Sequence, residues 1–330
     1  MAKVSVIGSG SWGTALAWLL CNNGHNVTLW SFLEKENDMF VKYRENVEKL
    51  PGVKLQESIQ FTSDLKEAIE DKELMVLAVP STAVRSTARN MKQFVKPGQI
   101  IVDVAKGVEE STLMIMTDII EQEIPQANVA VLSGPSHAEE VGKGLPTTIV
   151  AAAHDMETAE HIQNMFMSPV FRVYTSQDML GVEIGAALKN VVALAAGIAD
   201  GLGFGDNTKA ALITRGIAEI SRLGIAMGAK ASTFTGLSGI GDLVVTCASV
   251  HSRNRRAGVL MGQGYSMQEA MDEVHMVVEG VYSAKAAAKL AEKYNVEMPI
   301  VSAVNQILFE GKSASSAVLD LMLRVKKEEV

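Results

Sequence analysis

The chain has 330 residues, of which 48% are hydrophobic and 21% charged, a balance typical of a globular protein of about two domains. This composition excludes a disordered chain, a collagen-like repeat and a coiled coil. The 38 acidic residues outnumber the 30 basic ones, and the net charge of −8 makes nucleic acid or an anionic membrane a poor partner, because both are themselves anionic.

Short apolar segments alternate with helical stretches through the first half of the chain. The predicted strands are Val4–Ile7, Val27–Trp30, Leu74–Val79, Ile100–Val104, Val129–Leu132 and Thr147–Ala153. The predicted helices between them are Thr14–Asn23, Asp64–Lys72, Thr82–Phe94 and Ser111–Glu123. Continuous apolar strands separated by helices predict an α/β fold with a doubly wound parallel sheet, which binds ligands at the carboxyl ends of its strands.

Strand-like segments disappear after about Asp178, and residues with helical spacing follow. The predicted helices are Asp178–Ala199, Thr208–Met227, Ser266–Glu273, Ser283–Tyr294 and Ile300–Leu308. We therefore predict an α/β domain over residues 1–180 and an all-α domain over residues 181–330. The apolar run Ile184–Ala199 is too short to span a bilayer, so no stable membrane insertion is expected. The two cysteines lack CxxC spacing and the six histidines lack metal-binding spacing, which favours reduced thiols and no metal site.

Three glycines, Gly8, Gly10 and Gly13, form a GxGxxG sequence directly after the first predicted strand. In a dinucleotide-binding turn they permit the tight turn, the approach of the pyrophosphate to the backbone, and close helix packing, in that order. An ordinary glycine-rich turn is the alternative, but the position between strand and helix favours a Rossmann-type domain that binds NAD or NADP. The segment 31–33 stands where such domains carry a carboxylate or an arginine that selects the ribose. It holds Ser, Phe and Leu instead, so we expect no strong preference between the two cofactors.

Lys189 is the only charged residue in the sixteen-residue stretch Ile184–Ala199. Burying an ammonium group costs several kcal/mol unless it is paired or its pKa falls. A lysine in that setting suits proton exchange with an alkoxide–carbonyl couple, whereas the alternative is a side chain that extends its charge into water. Asp242, among glycines and apolar residues, is placed either to orient Lys189 or to cap a helix or turn.

Residues 251–256 form the only dense basic run, His-Ser-Arg-Asn-Arg-Arg. It is either a solvated turn or a phosphate site, for which Ser252, Arg253 and Asn254 offer a hydroxyl, a guanidinium and an amide. Lys106 and the segment Gly134–Ala138 each follow a predicted strand and so are expected at the ligand-binding edge of the sheet.

Together these segments resemble the bacterial NAD(P)-dependent glycerol-3-phosphate dehydrogenases, in order and along nearly the whole chain. The motifs that carry the resemblance are GSGSWGTALA (8–17), AKG (105–107), LSGPSHAEEV (132–141), ALKNVVALAAGIADGLGFGDN (187–207), GIGDLVVTC (239–247), SRNRRAG (252–258) and VVEGV (277–281). The resemblance implies a cytoplasmic homodimer that uses NAD or NADP to interconvert dihydroxyacetone phosphate and sn-glycerol 3-phosphate for glycerophospholipid synthesis.

The resemblance also implies roles for individual residues, with Lys189 as the catalytic proton acceptor and donor. The implied substrate-binding residues are Lys106, Gly134, Ser136, Lys189, Asp242, Ser252, Arg253 and Asn254. Fingerprint and resemblance together place the cofactor at Gly8, Gly10, Ser11, Trp12, Gly13, Phe32, Lys106, Ala138, Arg253, Val277 and Glu279. The chain departs from the family at 32–33, where Phe and Leu replace the usual histidine or arginine, so an NADP preference is not expected.

Two other functions fit parts of the pattern. One is a dehydrogenase of similar two-domain design that acts on a 3-hydroxy acid or a phosphogluconate. A 3-hydroxy acid, which carries a carboxylate and no phosphate, would not need the phosphate-binding groups at 252–254. The other is a dinucleotide-sensing regulator without turnover, which would not need Lys189 and Asp242 in apolar surroundings.

Overall fold

The computed structural model describes residues 1–326, 328 and 329. Contacts divide it into two compact units. The first comprises Met1–Glu109 and Met114–Glu183, and the second comprises Glu110–Leu113 and the chain from Ile184 onward. Every strand in the described residues belongs to the first unit, and the second unit is helical.

The first unit is built on an eight-stranded sheet. Its strands are β1 (Lys3–Ile7), β2 (Asn26–Trp30), β3 (Gln60–Thr62), β4 (Leu74–Leu77), β5 (Ile100–Asp103), β6 (Asn128–Ser133), β7 (Thr147–Ala153) and β8 (Phe171–Ser176). The helices are α1 (Ser11–Asn22), α2 (Glu34–Tyr43), α3 (Leu65–Ile69), α4 (Val84–Met91), α5 (Met116–Glu123), α6 (Ala138–Val141) and α7 (Met156–Phe166). The strand order β3-β2-β1-β4-β5-β6-β7-β8, with helix-borne apolar clusters on both faces, confirms the Rossmann-type α/β fold.

The sheet departs from a wholly parallel arrangement at one place, because β7 runs antiparallel to β6. The connection between them contains only the four-residue helix α6. Residues 134–146 connect the two strands, close to the minimum of about a dozen that a crossover to a parallel strand needs. Such a crossover is usually a helix, whereas the four residues of α6 rise only about 6 Å. The connection therefore favours a β7 that starts at the edge where β6 ends. The apolar pattern of the sequence does not indicate the direction of β7.

The second unit contains most of α8 (Met179–Gly201), which begins in the first. Its other helices are α9 (Asp206–Met227), α10 (Ala231–Phe234), α11 (Asp242–Ala248), α12 (Arg253–Gly262), α13 (Met267–Val274), α14 (Glu279–Lys293), α15 (Pro299–Phe309) and α16 (Ala314–Met322). The five helices predicted from apolar spacing are present, with bounds shifted by up to four residues. Helix α12 was not predicted, because its charged first turn and its two glycines hide the apolar period.

Glycines line the contact between α8 and α12. A Cβ on Gly197 would lie 2.1 Å from the carbonyl oxygen of Arg255, and a Cβ on Gly258 would lie 2.2 Å from that of Leu194. Gly201 and Gly262 meet one turn further along. The backbones can approach this closely only without side chains, and the contact brings the start of α12 towards the middle of α8.

Helix α8 is long and apolar enough to cross a membrane by length and composition, but its most apolar eighteen-residue window is wholly buried within the protein. An all-round apolar helix that is buried in this way is typical of the core helix of a globular fold.

Glu183, near the start of α8, is a buried acid that the sequence pattern did not indicate. Its carboxyl oxygens accept hydrogen bonds from the Thr117 hydroxyl and, at 3.1 Å, from the Thr117 backbone N–H. Burial raises the pKa of the Glu183 carboxyl to about 8, against the lowering effect of these bonds. The side chain is therefore protonated in the folded protein at neutral pH.

This pKa predicts a pH dependence of stability. Between the ordinary value of 4.5 and about 8, the folded state holds a proton that the unfolded state has lost. The contribution of Glu183 is therefore complete below pH 4.5 and lost as the pH rises through 8. Glu183→Gln stays neutral, so between pH 6 and pH 9 it should lose about 2–3 kcal/mol less unfolding free energy than the wild type. Denaturant unfolding at both pH values measures this. Equal losses in the two proteins would contradict the assignment.

Candidate active site

The glycine-rich turn between β1 and α1 has the geometry of a phosphate-binding turn. Gly8 has φ +118°, a left-handed conformation that favours glycine. A Cβ on Gly13 would lie 2.0 Å from the Gly8 carbonyl oxygen, whereas one on Gly10 would meet open space. The first and third glycines are thus required by the fold. The second leaves the backbone open to a ligand.

The start of α1 also suits an anionic ligand. Its N-cap residue Gly10 offers no side chain to cap the helix, so the N–H groups of the first turn remain available to a phosphate. The buried indole N–H of Trp12 has no hydrogen-bond partner within the described residues. A buried donor of this kind is expected to find a partner. The turn therefore fits a dinucleotide.

Lys106 and Ser136 meet at the carboxyl edge of the sheet. Lys106 follows β5, and its Nζ donates a hydrogen bond of 3.1 Å to the carbonyl oxygen of Gly134, which follows β6. The Ser136 hydroxyl donates to the same oxygen at 2.9 Å. Gly134 has φ +148° and packs against the backbone of Ile149. Three of the predicted substrate-binding residues thus form one cluster.

Lys189 lies in the middle of α8 with only 6% of its surface exposed. Its Nζ donates hydrogen bonds to Asp242 Oδ1 and, at 2.7 Å, to Thr246 Oγ1. Asp242 is 1% exposed, so the two charges form a buried ion pair. The side chain does not extend to water, and its ammonium form is favoured by the paired carboxylate.

Asp242 owes its position to an irregular backbone. The π-type turn Leu237–Gly241 precedes it, with Gly239 at φ −98° and ψ −105°. A Cβ on Gly239 would lie 2.2 Å from the Phe234 carbonyl oxygen. Asp242 then begins α11, one turn before Thr246, whose hydroxyl donates to the Asp242 carbonyl oxygen at 2.6 Å. Both acceptors therefore lie on one face of α11.

The basic run proves to be the start of a helix and not a solvated turn. Ser252 is the N-cap of α12, and its Oγ accepts a hydrogen bond of 3.2 Å from the Arg255 N–H. Arg253 occupies the first helical position and is half-buried. Arg255 is engaged elsewhere, since its Nε donates to Asp200 at 2.7 Å. A helix N-terminus with a guanidinium and a hydroxyl beside it is suited to a phosphate.

Asn254 also has a structural role, which the sequence pattern did not indicate. Its Nδ2 donates to Asn190 Oδ1 at 2.9 Å, and its Oδ1 accepts from the Gly280 N–H at 2.8 Å. It thereby ties α12 to α8 and to the start of α14. One of its two amide hydrogens is used in this way, and the second is still available for a substrate.

The other predicted cofactor residues are spread over both units. In the first unit, Ser11 lies in the first turn of α1, Ala138 begins α6, and Phe32 follows β2 with 79% of its surface exposed. In the second, Val277 lies in the loop before α14 and Glu279 begins that helix, both half-buried. Within the described residues, no group of three potential metal ligands comes together.

Two polar residues near Lys189, Thr246 and Asn190, were not predicted to take part in the site. Thr246 was quoted within a motif but given no role, although its spacing of four from Asp242 places it on the same helical face. Asn190 was likewise quoted only within a motif, and its bond to Asn254 depends on the packing of α8 against α12, which the sequence pattern does not show.

Comparison with known proteins agrees with this geometry. The family described as NAD-dependent glycerol-3-phosphate dehydrogenase matches the chain twice, with its N-terminal part over residues 3–159 and its C-terminal part over residues 178–319. The chain is 64% identical to glycerol-3-phosphate dehydrogenase (NAD(P)+) of Agathobacter rectalis, covering 100% of this chain and 98% of the relative. It is 63% identical to the enzyme of the same name from Fusobacterium nucleatum, covering 100% and 99%.

A solved structure shows the same similarity. The crystal structure of glycerol-3-phosphate dehydrogenase from Coxiella burnetii superposes with a TM-score of 0.95 at 36% identity, covering 98% of this chain and 99% of that one.

Proposed function

Because the chain belongs to the NAD-dependent glycerol-3-phosphate dehydrogenase family, we propose that it transfers hydride between NAD(P)H and dihydroxyacetone phosphate to give sn-glycerol 3-phosphate. It is an oxidoreductase acting on a CH–OH group. The observation that carries the proposal is the buried Lys189–Asp242 ion pair, because an ammonium held inside a protein by a carboxylate is suited to proton transfer. We propose further that the product supplies glycerophospholipid synthesis.

The proton-transfer step falls to Lys189. In the reducing direction its ammonium donates a proton to the substrate oxygen on C2 as negative charge develops there, and in the oxidising direction the amine accepts it. Asp242 and Thr246 hold Nζ in place, and the Asp242 carboxylate stabilises the protonated form. When bound, the nicotinamide supplies the hydride or accepts it.

The substrate phosphate is assigned to the start of α12. Arg253 provides a charge-assisted hydrogen bond, Ser252 its hydroxyl hydrogen and Asn254 its second amide hydrogen. Lys106 adds positive charge beside Gly134 and Ser136, which we assign to the same substrate. The dinucleotide is assigned to the glycine-rich turn with Ser11, Trp12 and Phe32, and to Ala138, Val277 and Glu279, with Lys106 and Arg253 contacting both ligands.

The alternative functions are less well supported. A regulator without turnover would not require a paired lysine with 6% exposure, since burying an ion pair has a desolvation cost in folding free energy. A dehydrogenase of 3-hydroxy acids would not need the capped, arginine-bearing start of α12.

The direct test is NADH or NADPH oxidation, followed at 340 nm, with a panel of carbonyl substrates. We expect rapid oxidation with dihydroxyacetone phosphate and much slower oxidation with unphosphorylated dihydroxyacetone or with a 3-oxo acid. Comparable rates with the phosphorylated ketone and the 3-oxo acid would contradict the proposal.

Oligomeric state and location are part of the same proposal. We propose a homodimer in the cytoplasm. A groove of about 1250 Å³ lies among α9, α15 and α16, and the nearby Met322, Leu323 and Val325 expose 78%, 74% and 84% of their surfaces. Exposed apolar clusters of this kind favour a protein partner. Light scattering should give twice the chain mass of 35.3 kDa, and a monomer at working concentration would contradict the dimer.

The exposed Phe32 makes a prediction about cofactor choice. Because the end of β2 carries no dedicated cation, the wild type should use both cofactors, with less than about a tenfold preference, towards NADH. Phe32→Arg should shift kcat/KM towards NADPH, and the shift should shrink at high salt. A wild-type preference for NADPH of a hundredfold or more would contradict this account.

A further inference from the structure

The carboxylate of Glu36 is directed at the glycine-rich turn. Glu36 lies in the first turn of α2, and its Oε2 accepts a hydrogen bond of 2.5 Å from the hydroxyl of Ser9. Ser9 stands between Gly8 and Gly10 and is 4% exposed. A carboxylate therefore contacts the phosphate-binding turn from the sixth position after β2. The sequence pattern places the ribose-selecting residue earlier, at 31–33.

Lys49 neutralises this carboxylate. Its Nζ lies 2.5 Å from Glu36 Oε1. The backbone of Lys49 is fixed as well, because its N–H donates to Asn46 Oδ1 at 2.9 Å while Asn46 Nδ2 donates to the Ser9 carbonyl oxygen at 2.8 Å. Asn46 is buried. The ion pair and the glycine-rich turn thus form one connected unit.

Glu36 is more buried than the charged residues beside it in the sequence. Glu34 and Lys35 are exposed, and water and salt screen exposed charges efficiently. The Glu36 side chain is only 13% exposed. Burial raises the pKa of Glu36, but the hydrogen bonds from Lys49 and Ser9 together outweigh it and hold the pKa below its usual 4.5. The carboxylate is therefore ionised at neutral pH and keeps a fixed position.

We propose that the Glu36–Lys49 pair determines the choice between NAD and NADP. This inference rests on the proposed function, since it assumes a dinucleotide at the glycine-rich turn. In Rossmann-type domains the pyrophosphate lies at that turn and the adenosine ribose lies beside the end of the second strand. Glu36 contacts the turn through Ser9 and stands in the first turn of the helix that follows β2. The pair's net charge near zero explains why the wild type should discriminate weakly, since the carboxylate repels a ribose 2′-phosphate and the ammonium attracts it.

The proposal predicts opposite effects for the two partners. Glu36→Gln leaves the ammonium alone and should improve NADP+ binding relative to NAD+ by about tenfold, the effect of one unit charge on a dianion at close range in a high-dielectric medium. Lys49→Met leaves the carboxylate alone and should weaken relative NADP+ binding by a similar factor. The double variant should return to the wild-type ratio.

Calorimetric titration with NAD+ and NADP+, without substrate, measures both dissociation constants and does not depend on turnover. Asp71→Asn and Lys96→Met are the matched controls. This ion pair of 3.0 Å precedes β4 and β5 at the opposite edge of the same sheet, and its removal should leave the ratio unchanged. In 1 M salt, where the Debye length is about 3 Å, the shifts at Glu36 and Lys49 should shrink.

The results of the titration distinguish a failure of this proposal from a failure of the proposed function. If the wild type binds neither dinucleotide, the proposed function fails. If it binds both, but the two variants leave the ratio unchanged or move it in the same direction, the inference fails while the function stands. Thermal melts of each variant establish that it is folded. Gln retains an acceptor for Ser9 and Met retains the lysine stem, so both substitutions conserve the local packing.

Discussion

Lys189→Met is expected to lower kcat by about 10²–10⁴-fold, the usual contribution of general acid–base catalysis. Methionine keeps most of the volume of the lysine stem, so the core around α8 should remain packed. The affinity for NAD+ should stay near that of the wild type, because Lys189 is assigned to the substrate. Steady-state rates at saturating dihydroxyacetone phosphate, with NAD+ affinity measured separately, test both statements.

Asp242 complicates this variant in a predictable way. Removing its partner leaves a buried carboxylate without an ion pair, which destabilises the fold. Thermal melts of the variant are therefore needed, and kcat should be compared at a temperature well below the lower melting point. Lys66→Met is the control, because it removes an exposed ammonium from a surface pair with Glu70 and should leave kcat unchanged. A folded Lys189→Met enzyme with near wild-type kcat would refute the role of Lys189.

Arg253→Ala is expected to lower kcat/KM for dihydroxyacetone phosphate by about 2–4 kcal/mol in transition-state binding, as for the loss of one partner of a charged hydrogen bond. That is about thirtyfold to a thousandfold. The rate with unphosphorylated dihydroxyacetone should fall much less, because that substrate has no phosphate for the guanidinium to bind.

The neighbouring Arg256 provides the control for this experiment. It belongs to the same basic run but is exposed, so Arg256→Ala removes an equal charge from a solvated position. We expect it to change kcat/KM for dihydroxyacetone phosphate by no more than a few-fold. If Arg253→Ala reduced the rates with both substrates equally, Arg253 would not bind the phosphate.

Local patterns predicted the parts of the fold that depend on neighbouring residues. The turn at Gly8–Gly13 was recognisable because its glycines, the strand before it and the helix after it are contiguous. Lys189 was recognisable because one charge in an apolar helix is visible in the sequence. By contrast, the direction of β7 depends on the length of the connection after β6. The three-residue strand β3 and the strand β8, whose burial alternates, do not form continuous apolar runs.

The contacts that position the site were harder to predict because they join distant segments. Asp242 lies 53 residues from Lys189, and the sequence left its role open between ion-pair partner and helix cap. The structure shows that it begins a helix and also binds Lys189. The pairing of Glu36 with Lys49 has no periodic signature. Lys35 is the neighbour of Glu36 in the sequence, whereas in the structure Glu36 is paired with Lys49.

Chemical rescue of Lys189→Ala tests most directly that the Lys189 ammonium is the proton donor. The substitution leaves a cavity in which a small alkylammonium ion fits beside Asp242, whereas Lys189→Met fills that space. With dihydroxyacetone phosphate and NADH saturating, we predict that added methylammonium restores turnover to the alanine variant in a saturable manner and leaves the methionine variant inactive. An alanine variant that turns over at the wild-type rate without amine would contradict the account. So would a variant that binds both ligands normally yet gains nothing from the amine.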